Sequence, residues 1–252
     1  MKQFLTHHYI RVPQHRLTVD LIGLGGTGSQ MLSGLARINS ALMGLGHPGL
    51  HIRAWDPDTV STANMGRQMF SPADLGLNKA IVLISRVNRF FGTEWEARPE
   101  KYKGKVFSNI TVTCVDSAAE RLKIDAYLKS PVKSVEPYDD RYYWLDLGNL
   151  QKTGQVVLGS IKPRYSTKDA PSVRTLKNVV KMFPALKRIK EANQGPSCSL
   201  AEALEKQDLF INSTLAQFGC NLLWKLIKEG ELTHHGCYLN LDTLSVNPIK
   251  IS

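Results

Sequence analysis

Cysteine is scarce in this chain, and its spacing does not suit a metal site. The four cysteines stand at Cys114, Cys198, Cys220 and Cys237, and no two of them form a C-x-x-C pair. Structural zinc sites are commonly built from such closely spaced pairs. We therefore expect no zinc in this protein.

Long apolar stretches are also missing. No apolar run reaches the roughly 20 residues of a membrane-spanning helix. Residues 1–16 form a polar lead-in, in which Lys2 and Arg11 leave no room for the apolar centre of a signal peptide. A chain of 252 residues, 42% of them apolar, is long enough for one sizeable core. We expect a cytoplasmic protein with a single domain over residues 1–252.

Acidic residues are in the minority. Lys and Arg number 32 against 22 Asp and Glu, which gives a formal net charge of +10. Residues 162–190 hold nine of the cations and one acid, Asp169. Such a run is either a solvated face or a docking surface for an acidic partner. Because no aromatic platform is interleaved to stack bases, nucleic acid is the weaker interpretation.

One glycine-rich turn is the most informative stretch of the sequence. The apolar segment 17–22 predicts a strand, and residues 27–43 predict a helix. Between them, Gly23, Gly25 and Gly28 have the G-x-G-x-x-G spacing in the strand-turn-helix context that the motif requires. Glycine lets the backbone approach a phosphate, and the helix N-terminus offers free N–H groups. The turn predicts a nucleotide site; the alternative is a turn that only packs a helix against a sheet.

The next strand supports the nucleotide interpretation. A strand is predicted over residues 51–55 and is followed at once by Asp56. In dinucleotide-binding folds, a carboxylate at this place accepts hydrogen bonds from the ribose hydroxyls. The interval from the glycine turn exceeds the typical ~20 residues. The loop over residues 44–49 accounts for the excess.

A cluster of polar residues follows this carboxylate. It consists of one more acid, two amides and two cations: Asp58, Asn64, Gln68, Arg67 and Lys79. Arginine binds phosphate oxygens with a planar fork and lysine with a point charge. Two cations close to a ribose-binding carboxylate suit a triphosphate, whereas hydride transfer needs no such pair. The cluster therefore favours ATP over NAD.

The order and spacing of these residues resemble the motifs of the ThiF/MoeB/ubiquitin-activating enzyme superfamily. The matching segments are Gly23-x-Gly25-Gly26-x-Gly28-Ser29, Asp56 with Asp58, Asn64-x-x-Arg67-Gln68, and Gly76-x-x-Lys79-Ala80. We expect an α/β fold with a Rossmann-like, mainly parallel sheet flanked by helices and an antiparallel C-terminal extension. The resemblance also implies ATP as a substrate and a homodimer as the active unit.

A third strand end carries a further acid. The β-branched segment 110–116 predicts a strand that ends in Asp116, and residues 118–129 predict a helix. A carboxylate at a strand end beside phosphates suits Mg²⁺, which prefers oxygen ligands. The resemblance implies the same role and adds an arginine a few residues later, here Arg121. The alternative for Asp116 is a helix N-cap.

Two further features follow from the resemblance alone. The segment Asp146-x-Gly148-Asn149 ends another predicted strand, and the resemblance places it near the path of a partner protein's C-terminal tail. Asp146 could equally be a structural turn residue. An arginine near the N-terminus, Arg11 or Arg16, is implied to reach the nucleotide of a partner subunit.

The regular alternation of strands and helices stops within residues 162–198. A basic helix over 175–190 is interrupted near Pro184, and Pro196-x-Cys198-Ser199 then resembles the P-x-C-[S/T] motif of ubiquitin-type activating enzymes. In that motif the cysteine accepts the activated acyl group, and the segment corresponds to a crossover region. Nearby cations and a following helix, predicted over 201–229, favour a thiolate. The alternative is a small buried residue, which is the preferred interpretation of the other three cysteines.

The chain looks most similar to the ThiF-family member of the PRTRC cassettes of bacterial plasmids, which also encode a ubiquitin-like protein. The resulting hypothesis is ATP-dependent adenylation of the C-terminal carboxylate of that partner, followed by thioester transfer. It assigns catalysis to Arg67, Lys79, Asp116 and Cys198. A nucleotide-binding interaction protein without catalysis is the alternative, and an NAD-dependent oxidoreductase is the third and least favoured interpretation.

Overall fold

The computed structural model describes residues 2–131, 140–162, 173–188, 205 and 207–251. Within these residues the strands are β1 (Phe4–Leu5), β2 (Leu17–Ile22), β3 (Leu50–Trp55), β4 (Glu96–Arg98), β5 (Ile110–Thr113), β6 (Tyr143–Asn149), β7 (Thr153–Ser160), β8 (Glu231–Leu232), β9 (His234–Asn240) and β10 (Ser245–Lys250). The α-helices are α1 (His8–Arg11), α2 (Gly26–Gly44), α3 (Lys79–Phe91), α4 (Ala118–Lys129), α5 (Val179–Met182) and α6 (Ile211–Trp224). Eight strands form one sheet in the order β10-β9-β7-β6-β5-β2-β3-β4.

Five strands on one side of this sheet run parallel. The pairs β2–β3, β3–β4, β2–β5 and β5–β6 are all parallel. Strands β2 and β5 are buried along nearly their whole length, as expected when helices cover both faces of a parallel sheet. The strand order reverses between β2 and β5. In α/β sheets such a reversal opens a crevice at the carboxyl ends of the two strands, where ligands bind.

The other side of the sheet is antiparallel. Strand β6 pairs with β7, β7 with β9, and β9 with β10, each in antiparallel register. Strands β9 and β10 form an antiparallel hairpin, and β1 and β8 form a separate two-stranded sheet. The predicted fold, a Rossmann-like sheet flanked by helices with an antiparallel extension, is therefore confirmed.

Helices cover both faces of the sheet and enclose two apolar cores. Helices α2, α3 and α6 contribute to the larger core, and α4 and α5 to the smaller one. Close contact between α2 and α6 depends on Gly34, because a Cβ at this position would lie 2.1 Å from Cys220 Sγ. No helix within the described ranges is long and apolar enough to cross a membrane.

Several element boundaries differ from the sequence predictions. Residues 1–16 are more than a polar lead-in, because Phe4 and Ile10 are fully buried. The third strand, predicted over 110–116, ends at Thr113. Of the basic helix predicted over 175–190, the described residues 175–188 form only the four residues of α5 and a 3₁₀ turn; α5 ends before Pro184, which has no N–H and restricts the residue before it.

The last predicted helix, over residues 201–229, is interrupted within the described residues, since Glu205 is helical and residues 207–210 are not. Helix α6 starts at Ile211 and continues into a π-turn over Lys225–Glu229, which ends at Gly230 in the left-handed conformation. Residues 207–210 precede the helix as a turn. Residues 201–204 and 206 lie outside the described residues.

A buried ion pair joins α4 to β6 beside the strand-order reversal. The Arg121 Nε atom donates to both oxygens of Asp146, at 3.0 and 3.1 Å. Asp146 also accepts from the Thr113 hydroxyl at 2.6 Å, and Trp144 Nε1 donates to that hydroxyl at 2.8 Å. Burial raises the pKa of the Asp146 carboxyl, and Arg121 opposes this effect. Asp146 is thus a buried strand residue, so the alternative of a structural turn residue is wrong, and its place near the path of a partner's tail stays a prediction.

We expect Arg121→Ala to destabilise the fold strongly, because it leaves the Asp146 carboxylate buried without its cation. Removing one member of such a pair costs roughly 3–5 kcal/mol in the free energy of unfolding. Urea denaturation followed by circular dichroism measures this loss. Lys123→Ala, an exposed cation on the same helix, is the matched control and should leave the midpoint unchanged. Equal midpoints for the two variants would contradict the structural role of the pair.

Candidate active site

Two glycines of the turn after β2 are required by packing. Gly23 has a φ of +85°, which favours glycine, and a Cβ there would lie 2.8 Å from the Cys114 carbonyl oxygen. A Cβ at Gly28 would lie 1.8 Å from the carbonyl oxygen of Gly23. These contacts hold the start of α2 against the end of β2 and against the segment that follows β5. The first turn of α2 therefore lies at the strand-order reversal.

Gly25 has a different environment. A Cβ there would meet nothing nearer than Gln68 Nε2, at 4.0 Å. Gly25 is also the N-cap of α2, and no side chain in the described part of the protein caps the helix at this end. The first N–H groups of a helix have no partner within the helix and attract anions. Packing therefore does not explain the glycine at position 25, whereas close approach of an anionic ligand does.

Asp56 ties the glycine turn to the loop after β3. Its Oδ2 accepts from the Leu24 N–H at 2.6 Å, and its Oδ1 accepts from the Asp58 N–H at 2.9 Å. The residue is 5% exposed. Burial raises the pKa of the Asp56 carboxyl, against the lowering effect of these two hydrogen bonds and of Lys79. The predicted ribose ligand thus stands beside the glycine turn, with both oxygens already accepting a backbone hydrogen bond.

The loop after β3 also brings a lysine to the site. Lys79 is the first residue of α3, whose N-cap is Asn78, and its N–H donates to the Asp58 carbonyl at 2.9 Å. The Lys79 Nζ atom lies 3.5 Å from the Asp58 carboxylate. The lysine side chain is 10% exposed and the Asp58 side chain 67% exposed. A largely buried cation therefore points to the solvent-facing edge of this loop.

Asn64 has a structural task in the same region. It ends the 3₁₀ turn Thr62–Asn64, and its Oδ1 accepts from the Ser61 N–H at 2.9 Å and from the Ser61 hydroxyl at 3.2 Å. Its side chain thereby fixes the turn that leads into Arg67 and Gln68. The role of Asn64 as a nucleotide ligand stays a prediction.

Arg67 and Gln68 carry polar atoms that have no protein partner. The buried Nε atom of Arg67 and the buried Oε1 atom of Gln68 make no hydrogen bond within the part of the chain that the structure describes. Burial also lowers the pKa of the Arg67 guanidinium. Buried polar groups are nearly always hydrogen-bonded, so each exception asks for an explanation. A Cβ added at Gly25 would lie 4.0 Å from Gln68 Nε2. A polar ligand bound at the glycine turn would therefore explain why these buried atoms have no protein partner.

Two amide residues that the motifs did not indicate complete the arrangement. Gln207 Oε1 accepts from Arg67 Nη1 and, at 3.3 Å, from Asn212 Nδ2. Asn212, which is 2% exposed, accepts at Oδ1 from the Thr27 hydroxyl at 2.9 Å. A Cβ at Gly26 would lie 2.5 Å from Asn212 Nδ2, so this third glycine serves packing. No sequence signal pointed to either amide, because both belonged to a predicted helix with an apolar pattern.

The predicted magnesium ligand lies on the loop after β5. Asp116 is exposed, and Ser117 is the N-cap of α4, with its Oγ accepting from the Glu120 N–H at 3.2 Å. The N-cap alternative for Asp116 is therefore wrong, and its carboxylate is free of that task. No group of three or more potential metal ligands occurs among the described residues. Any magnesium bound there would need phosphate oxygens as additional ligands, as is usual for this ion.

Burial disfavours the thiolate form of the cysteines that the structure describes. Cys220 and Cys237 are buried, and Cys114 is half-buried, one residue beyond the end of β5. Burial raises the pKa of Cys220 to about 12 and that of Cys237 to about 11. Burial, with the Asp146 carboxylate, also raises the pKa of Cys114. Cys198 lies outside the described residues.

Comparison with known proteins agrees with this nucleotide-binding type of α/β fold. The family model of the ThiF family matches residues 14–228, and the chain therefore belongs to the ThiF family. Membership implies ATP-dependent chemistry. No curated protein matches the chain.

Solved structures with the same fold include PaaA and Escherichia coli MccB. PaaA is 16% identical with a TM-score of 0.60, and the match covers 96% of this chain and 65% of PaaA. MccB in a structure with MccA-N7isoASN is 15% identical with a TM-score of 0.56, covering 94% of this chain and 64% of MccB. The chain thus spans just under two thirds of the length of these proteins.

The different environments of two glycines give a test of the site. We expect Gly25→Ala to fold normally but to bind Mg-ATP at least tenfold more weakly, because its methyl group would occupy space left for phosphate. Gly28→Ala should instead lower the melting temperature, because its Cβ would collide with the Gly23 carbonyl oxygen. Thermal unfolding and calorimetric titration with Mg-ATP separate the two effects. Unchanged Mg-ATP affinity in Gly25→Ala would argue against a phosphate site at this turn.

Proposed function

We propose that this chain is an adenylyltransferase that activates the C-terminal carboxylate of a ubiquitin-like protein with ATP. The carboxylate oxygen would attack the α-phosphorus, the bond between the α-phosphorus and the bridging oxygen would break, and pyrophosphate would leave. The observation that carries the proposal is a glycine turn at the start of α2 with Gln68 beside it, where Gln68 and the adjacent Arg67 each hold a buried polar atom without a partner among the described residues. Family membership supports ATP as the nucleotide.

The proposal gives each predicted nucleotide-binding residue a role in this reaction. The turn from Gly23 to Gly28 would hold phosphate oxygens with backbone N–H groups, and Asp56 would accept from the ribose hydroxyls. Arg67 and Lys79 would stabilise the negative charge that grows on the leaving pyrophosphate, with Asn64, Gln68 and Asp58 around them. A carboxylate and a triphosphate repel each other until cations screen them. Catalysis would therefore come mainly from placement and electrostatics.

Magnesium fits the site through one protein ligand. Asp116, exposed on the loop next to the glycine turn, would hold Mg²⁺ together with phosphate oxygens. When bound, the ion would neutralise phosphate charge. The residues of the chain would still have to orient the nucleotide and the attacking carboxylate.

A second step would transfer the acyl group to Cys198. The thiolate sulfur would attack the acyl carbon of the adenylate, and AMP would leave, which gives a thioester. The motif Pro196-x-Cys198-Ser199 supports this role. The raised pKa of each of the other three thiols also supports it, because a protonated thiol is a poor nucleophile. A structural Cys198 remains the alternative.

The partner would be a protein that has an acidic surface and a free C-terminus. Five cations are exposed on α5 and its neighbouring residues, and none forms an ion pair within the described ranges: Arg174, Lys177, Lys181, Lys187 and Arg188. Val179 and Val180 are buried and anchor this basic segment on the protein. One of the solved MccB structures contains MccB together with a second molecule, MccA. These observations support a polypeptide substrate, for which the PRTRC-type ubiquitin-like protein is our candidate.

A homodimer belongs to the same proposal. Arg11 and Arg16 lie just before β2, at the end of the sheet opposite the glycine turn. The side chain of Arg11 packs over Gly230, where an added Cβ would lie 2.6 Å from Arg11 Nε. Neither arginine is placed to reach the site of its own chain. Either could serve only the nucleotide of a partner subunit.

We expect Arg67→Ala to abolish ATP–pyrophosphate exchange with the candidate ubiquitin-like protein, because the charge on the leaving group would lose its fork-shaped partner. Arg89→Ala, which removes an exposed cation from α3, is the matched control and should exchange at the wild-type rate. Exchange should also stop when the C-terminus of the partner is amidated. Normal exchange in Arg67→Ala would overturn the assignment. Binding of ATP without any exchange would favour the alternative, an interaction protein without catalysis.

The thioester step predicts a covalent adduct between this chain and its partner. On a non-reducing gel, wild-type protein with partner and Mg-ATP should show an adduct that a thiol reagent removes. Cys198→Ala should lose the adduct and keep the exchange, and Cys220→Ser should keep both. Exchange without an adduct in the wild type would leave an adenylating enzyme and return Cys198 to a structural role.

A further inference from the structure

The Arg67 guanidinium is oriented by a residue that lies far away in the sequence. Its Nη1 atom donates to Gln207 Oε1, and this is its one side-chain hydrogen bond within the described residues. Its Nε atom is buried and has no partner among them. An arginine with a long flexible stem would lose this orientation without the contact.

Gln207 is itself fixed from several directions. Its Oε1 atom also accepts from Asn212 Nδ2 at 3.3 Å, and Asn212 Oδ1 accepts from the Thr27 hydroxyl at 2.9 Å. The backbone on both sides is bound to the turn between β6 and β7. The Gln151 side chain donates to the Glu205 carbonyl at 2.7 Å, and the Asp208 N–H donates to the Gln151 carbonyl at 2.9 Å.

The amide group suits this position chemically. A neutral carbonyl oxygen accepts from a guanidinium without cancelling its charge, whereas a carboxylate would form an ion pair. Asn212 connects the same amide to Thr27, in the first turn of α2, and packs against Gly26. The guanidinium is thereby held close to the free helix end while its charge stays available.

We infer that Gln207 and Asn212 are positioning residues that hold the Arg67 guanidinium toward the glycine turn, ready for the triphosphate. This inference rests on the proposed function. The two amides touch Arg67 and the turn and act through them. Gln207 and Asn212 lie in a segment outside all of the family motifs found in this sequence, and the inference adds this segment to the site.

The test begins with the free protein, so that it does not depend on ATP. Nitrogen-15 and carbon-13 NMR of arginine side chains reports hindered rotation of a guanidinium, and the Arg67→Ala spectrum assigns the signal. We expect a resolved, slowly rotating Arg67 guanidinium in the wild type and a freely rotating one in Gln207→Leu. Gln217→Leu, the same substitution at an exposed position on α6, is the matched control and should match the wild type. A freely rotating Arg67 in the wild type, or a slow one in Gln207→Leu, would overturn the inference.

Calorimetric titration with Mg-ATP and with AMP then tests the consequence. Gln207→Leu should raise the Kd for Mg-ATP about tenfold, as expected for the loss of one hydrogen bond to a charged group. The Kd for AMP should change less, because AMP lacks the phosphates that we assign to Arg67. In the Arg67→Ala background, Gln207→Leu should have no further effect, whereas equal losses in both backgrounds would show a merely structural role.

Two more results separate failure of the inference from failure of the proposed function. Gln207→Glu keeps the acceptor oxygen but adds a charge, so we expect a rigid Arg67 with weakened Mg-ATP binding. Tighter Mg-ATP binding in Gln207→Leu would mean that Gln207 withholds Arg67 from the ligand, which contradicts the inference. A wild type that holds Arg67 rigid but binds no Mg-ATP would refute the proposed function, and with it the part of the inference that concerns the triphosphate.

Discussion

The close approach of the start of α2 to the end of β2 is the constraint on which the site depends. Gly28 allows it, because any Cβ there would overlap the Gly23 carbonyl oxygen. Gly23 in turn lies against the segment after β5. The helix end, whose first N–H groups have no partner within the helix, is thereby fixed between the two strands where the order of the sheet reverses. Asp56 then fastens the loop after β3 to the same turn, so that three loops share one position.

Much of this arrangement could be predicted from the sequence, because the underlying interactions are local. The strand over Leu17–Ile22 and the helix over Ala118–Lys129 have the bounds that their periodicity indicated. The glycine turn and Asp56 follow from a strand, a turn and a helix that are adjacent in the chain. Short-range patterns of this kind express backbone geometry directly. They also identified Gly25, although only the structure separates it from the glycines that serve packing.

The rest could not be predicted, because it depends on contacts between distant segments. Arg67 and Gln207 are 140 residues apart, and Arg121 and Asp146 are 25 residues apart. Asp146 sits in a strand whose pattern gave no sign of an ion pair. The burial of Phe4 is another case, since β1 pairs with β8 from the other end of the chain and the Phe4 ring packs against Tyr143. In each case, tertiary contact decided the role of a residue whose neighbours in sequence were uninformative.

The anchoring of Gln207 also limits the distance between Cys198 and Arg67. The two positions are nine residues apart in the sequence, and a fully extended chain spans at most about 3.6 Å per residue. Whatever path those residues follow, the thiol stays within about 40 Å of the amide that touches Arg67, once the lengths of the two side chains are included. A reactive group on so short a tether has a local concentration in the millimolar range. An acyl adenylate formed beside Arg67 would therefore meet this thiol far more often than a free thiol at ordinary cellular protein concentrations.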